Sequence, residues 1–189
     1  MRAAGRFAVA AACLVAVGVA PGEDDIHQAA RQAAERQLKA CGRAYVARID
    51  FQRHLVYISA LDDEHFGQTA DLLAAFADAH RRTLLDQPLP WNLTIILPTV
   101  EDYARLTDES TFAGMYYPAA HKIISLDRGR ILLHEFTHAL HHADTSPARQ
   151  EHPTWVSEGL ATLFQSCRIS PSGLEPVVDA SVLTFQKAI

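Results

Sequence analysis

The stretch Arg130-Ile131-Leu132-Leu133-His134-Glu135-Phe136-Thr137-His138-Ala139-Leu140-His141-His142 decides how this chain is read. It holds no glycine or proline, and Ile131, Leu132, Phe136 and Leu140 fall at helical spacing. Within it stands H-E-x-x-H. A helix turns once in 3.6 residues, so His134 and His138 share a face. Two imidazoles on one face can hold one metal ion, and the glutamate between them can reach a water on that ion. A lone histidine in a core is usually a satisfied polar group. Two at this spacing, with an acid between them, reverse that expectation.

A catalytic zinc site takes three protein donors and keeps a fourth position open. The best third donor is Glu158, in Trp155-Val156-Ser157-Glu158-Gly159-Leu160-Ala161. The polar residues 144–153, with two prolines, read as a loop long enough for a second helix to fold back beside the first. The small residues Gly159 and Ala161 are expected to let the two helices approach closely. A first-turn acid also stabilises a helix N-terminus, but that role leaves the small neighbours unexplained. Two histidines and a carboxylate suit Zn2+ better than Ca2+ or Mg2+. Non-haem iron uses the same donors but has no need of Glu135.

H-E-x-x-H followed by W-x-x-E-G-x-A resembles the gluzincin metallopeptidases, closest to their aminopeptidase-like and peptidase-MA-like branches. The likeness spans roughly residues 111–164. It implies a thermolysin-like catalytic subdomain with one Zn2+ per chain, held by His134, His138 and Glu158. Glu135 is then the general base that deprotonates a zinc-bound water. The implied reaction is peptide-bond hydrolysis on a peptide or protein substrate. The strand before the motif helix, residues 121–126, is expected to pair with extended substrate. Gly114-Met115-Tyr116-Tyr117-Pro118 is expected to form part of the cleft wall, with Gly114, Tyr116 and Tyr117 as substrate-binding residues. No G-x-M-E-N-like segment is visible, which favours an endopeptidase over an aminopeptidase. The chain also departs from the pattern. No Tyr or His follows Glu158 to stabilise an oxyanion, and Arg168 is the nearest downstream cation. Tyr116, Tyr117 or His152 are upstream substitutes. Thr162 stands where such enzymes carry an acid, and the C-terminal lobe is short or missing. These departures support an alternative, a zinc-binding but inactive interaction module on the same fold. His141 and His142 read as a solvated helix end, where imidazolium suits the dipole; the other reading of His142 is a contact near a bound metal.

Outward from the motif, residues 24–39 read as a helix, and 44–49 and 54–59 as paired strands. Residues 69–85 read as a helix with Leu72, Leu73, Phe76 and Ala79 on its apolar stripe. Residues 91–97 read as a strand. Residues 99–106 read as a short helix capped by Thr99. Residues 111–120 look like a loop, 122–126 a strand and 155–165 a helix. Beyond Cys167 the pattern weakens, with a short helix from Asp179 onward. This order predicts an α+β domain: a small, partly antiparallel sheet with helices against it.

The 189 residues suit one domain, taken as residues 21–189. An apolar share of 49% with 21% charged residues is an ordinary globular balance. The net charge of −5, without a Lys/Arg cluster, excludes a nucleic-acid binder. Residues 1–20 follow the plan of a secretory signal peptide: two arginines, an apolar run over 7–20, then small residues. That run falls short of the roughly 20 residues of a membrane span. The expectation is an exported protein, periplasmic or extracellular, with no membrane segment after cleavage. An uncleaved anchor is the alternative. Export would permit a disulfide between Cys41 and Cys167.

Overall fold

The computed structural model describes residues 22–107 and 112–177; the expected signal segment and the expected helix from Asp179 lie outside them. The chain forms an α+β fold with a five-stranded mixed sheet and, among the described residues, five α-helices. The strands are β1 (Val46–Asp50), β2 (Leu55–Ser59), β3 (Leu93–Leu97), β4 (Gly114–Tyr117) and β5 (Lys122–Ser125). Their order is β1-β2-β3-β5-β4. Three strands, β2, β3 and β5, run parallel, and the two edge strands run antiparallel to their neighbours. Every side chain of β2 and β3 is buried, because both faces of the sheet are covered.

Alternation along these strands sorts two cores. Leu55, Tyr57, Leu93, Ile95, Leu97 and Ile123 face α2 (Asp63–Thr83) and α4 (Arg130–Thr145). Val56, Ile58, Ile96 and Ile124 face the other way, toward Ala30 and Ala34 of α1 (Glu23–Cys41) and Tyr103 of α3 (Val100–Leu106). As expected, Thr99 caps α3, its Oγ1 accepting from the Asp102 N–H at 3.2 Å. α2 begins earlier than its apolar stripe suggests. Asp62 starts it by accepting from the His65 N–H at 2.9 Å, and Gly67 is carried inside the helix.

Two segments depart from the sequence reading. Gly114–Tyr117 is an edge strand rather than a loop, formed by antiparallel pairing with β5. The strand expected to meet substrate, residues 121–126, is interior, with β3 and β4 taking its two sides. On this side of the sheet the edge strand is therefore β4. The chain beyond α5 (Thr154–Phe164) forms a hairpin, β6 (Cys167–Ser170) and β7 (Gly173–Pro176). It docks on α2: Leu174 is buried in the main core, and its N–H donates to Thr83 Oγ1 at 2.8 Å. Gly173 has φ +135°, and a Cβ there would fall 2.2 Å from Thr83 Oγ1.

The disulfide is not formed. Cys41 and Cys167 are both free thiols. Cys41 is buried in the α1 core, whereas Cys167 packs against the α2–α4 core, so the sheet stands between them. Burial raises the pKa of both thiols. Among the described residues, no helix is long and apolar enough to cross a membrane.

Candidate metal centre

The N-terminus of α4 is organised by Asp127. Its Oδ1 accepts from the Gly129 N–H at 2.9 Å and the Ile131 N–H at 2.8 Å, satisfying donors that the helix cannot. The helix buries Leu132, Leu133, Phe136 and Leu140 in the core and turns the histidine stripe outward to a cleft. α5 returns beside α4 and brings Glu158 to the same cleft. Ala161 is fully buried, as a close helix contact requires. Gly159 is not at that contact: a Cβ there would meet nothing within 4 Å.

His134, His138 and Glu158 form a group that could hold a metal ion, with one donor atom from each within 4.8 Å of the others. The two Nε2 atoms lie 3.2 Å apart. Glu158 places Oε2 3.4 Å from His134 Nε2 and Oε1 3.5 Å from His138 Nε2. Donors about 2.0–2.1 Å from a tetrahedral ion stand about 3.3 Å from one another, close to the separations of the two imidazoles and of each imidazole from its nearer Glu158 oxygen. Burial lowers the pKa of His138, with Glu158 opposing, which favours the neutral imidazole a metal requires. The Nδ1 of His134 is buried with no hydrogen-bond partner among the described residues. A ligating histidine usually donates through that nitrogen.

Glu135 points into the same cleft. Its Oε2 accepts from the Tyr116 backbone N–H of β4 at 2.8 Å. Burial pushes its carboxyl pKa up, opposed by His134 and the Tyr116 N–H and reinforced by Glu158. Gly114 makes this approach of strand to helix possible. A Cβ there would sit 2.7 Å from Ile131 Cγ2 and 3.4 Å from Glu135 Cγ.

The cleft holds about 570 Å³ and is open to solvent. Gly114 and Tyr116 line it, as expected. Tyr117 does not. Alternation along β4 turns it to the α1 side of the sheet, where the Lys122 ammonium lies 4.9 Å from its ring centre. Arg168 is also outside, on the exposed hairpin, 4.0 Å from Glu175.

Met115 and Pro118 line the cleft as expected, whereas the sequence reading missed Phe112, Thr145 and Ser157 in the wall. Thr145 continues the helical stripe of His134, His138 and His141, a periodic signal that was available. Phe112 enters only because β4 packs on α4. The histidines at 141 and 142 are not a solvated helix end. His141 is buried, and His142 is half-buried with its Nδ1 2.8 Å from the Tyr116 hydroxyl. Burial lowers both pKa values, against the imidazolium that the dipole argument favours. The chain matches no protein-family model, no curated protein and no solved structure.

Proposed function

We propose that this chain is an exported zinc-dependent metallopeptidase of thermolysin-like, gluzincin type. The observation that carries this reading is the convergence of His134, His138 and Glu158 from two helices, with Glu135 turned into the same cleft. Zinc there would polarise the scissile carbonyl and lower the pKa of a water to about 7. Glu135 would take the proton of the attacking water and deliver it to the leaving amine. The Tyr116 N–H holds the carboxylate in place for both transfers. β4 is an edge strand beside the reacting groups, and an extended peptide would lie alongside it. Export rests on the residue pattern of 1–20.

The absence of any Tyr or His after Glu158, with Arg168 away from the cleft, favours a second reading: a zinc-binding module without activity. One set of measurements separates the two. After dialysis, the protein is expected to retain about one zinc per chain, lost in His134→Ala and in Glu158→Ala. Full zinc in both variants would remove the ligand assignment. Glu135→Gln is expected to keep the metal and slow cleavage of a peptide library by at least ~10²-fold. Equal turnover by the two proteins would exclude Glu135 as base. A zinc-loaded wild type that cleaves nothing identifies the inactive module.

A further inference from the structure

His141 and His152 meet in the same cleft but outside the His134–His138–Glu158 group. His141 lies on α4, one turn beyond His138, and is buried. His152 is exposed, on the loop before α5. His141 Nε2 faces His152 Nδ1 at 2.8 Å, with the ring planes inclined at 30°. Two ring nitrogens at that distance cannot both carry hydrogens, and two bare lone pairs would repel. Either one proton is shared between them or a cation takes its place.

Several features favour the cation. Imidazole nitrogens are donors for zinc, copper and nickel. Metal–nitrogen bonds of about 2.0–2.1 Å set the two nitrogens about 3.3 Å apart, a small opening from the present spacing. His152, exposed on its loop, can make that adjustment while α4 holds His141. Burial and the neighbouring His152 keep His141 from protonating, so its lone pair is at hand near neutral pH. Asp144, three residues along α4, adds a negative field. His142 contributes in the opposite sense.

We propose that His141 and His152 form a second metal site, for a borderline divalent ion such as Zn2+, Ni2+ or Cu2+. Among the described residues, no third His, Cys, Asp or Glu joins the pair at ligand spacing. The remaining positions face the cleft, where water or a carboxylate can fill them. With two protein donors the site binds more weakly than the three-donor group. Its occupation ties the loop that leads to Glu158 onto α4. The proposal does not rest on peptidase activity.

Calorimetric titration of the metal-stripped protein with Zn2+ tests it. Wild type is expected to take about two equivalents, one tight and one weaker. His141→Ala and His152→Ala should each lose the weaker step and keep the tight one. The His134→Ala/Glu158→Ala double variant should do the reverse. Loss of the tight step alone in wild type would remove the three-ligand reading and leave this one standing. Should His141→Ala fail to fold, the exposed His152→Ala decides, aided by Ni2+ broadening of the His141 and His152 ring resonances. A wild type whose only step is the one lost in the His134→Ala/Glu158→Ala variant, or a weaker step that survives both single substitutions, overturns the second site.

Discussion

His80 shows how one side chain can set the acid limit of the whole protein. It is fully buried on α2, with its ring centre 4.6 Å from each of Phe76 and Phe164. Neither ring nitrogen has a hydrogen-bond partner among the described residues. Burial lowers its pKa to about 4. The unfolded chain, with an ordinary histidine pKa near 6.5, binds the proton more readily. The stability contributed by neutral His80 is therefore complete above about pH 6.5. It is lost as pH falls toward about 4, at about 1.4 kcal/mol per unit. His80→Leu is expected to flatten this acid limb and, by removing unsatisfied polar atoms, to add about 1–2 kcal/mol at neutral pH. Urea denaturation of both proteins at pH 5 and pH 7.5 measures this. An unchanged pH dependence would mean that the ring is solvated. The fate of His80 was not legible in the sequence, where it stands at the end of an amphipathic helix beside Arg81 and Arg82. It is enclosed only in the folded chain, where Phe76 of its own helix and Phe164 of α5 meet its ring.

At the scale of elements, α4 depends on a residue outside it. Asp127 supplies the acceptor for the first-turn N–H groups, which the Gly129 cap cannot do through a side chain. Asp127→Ala is expected to cost about 0.5–2 kcal/mol, whereas Asp127→Asn keeps an acceptor oxygen and most of that stability. Thermal melts of the two variants separate these outcomes; equal losses would point to the charge rather than the hydrogen bonds. Periodicity identified α4, α5 and the buried strands because each element's burial pattern repeats at its own period. β4 and the terminal hairpin were missed for a different reason. Each strand has four residues, with Gly114 and Pro118 or Gly173 at its borders, and partners elsewhere in the chain hold it. A segment that gains order from pairing carries little local signal.

For the molecule as a whole, the sheet keeps Cys41 and Cys167 apart. Melting temperature and electrophoretic mobility are therefore expected to be the same with and without reductant. A reductant-sensitive melt or a mobility shift would require the two thiols to meet. The sequence by itself determined the α+β class, the helical face shared by His134 and His138, and the pairing of that face with Glu158 in the next helix. Each follows from a period or a spacing written along the chain. The tertiary structure alone decided that β4 rather than β5 is the edge strand beside the cleft and that Tyr117 turns away from it. It also decided that His141 meets His152. Such contacts join residues whose separation along the chain carries no periodic signature. They exist only once the helices and sheet, by burying their apolar faces together, have fixed where the polar faces point.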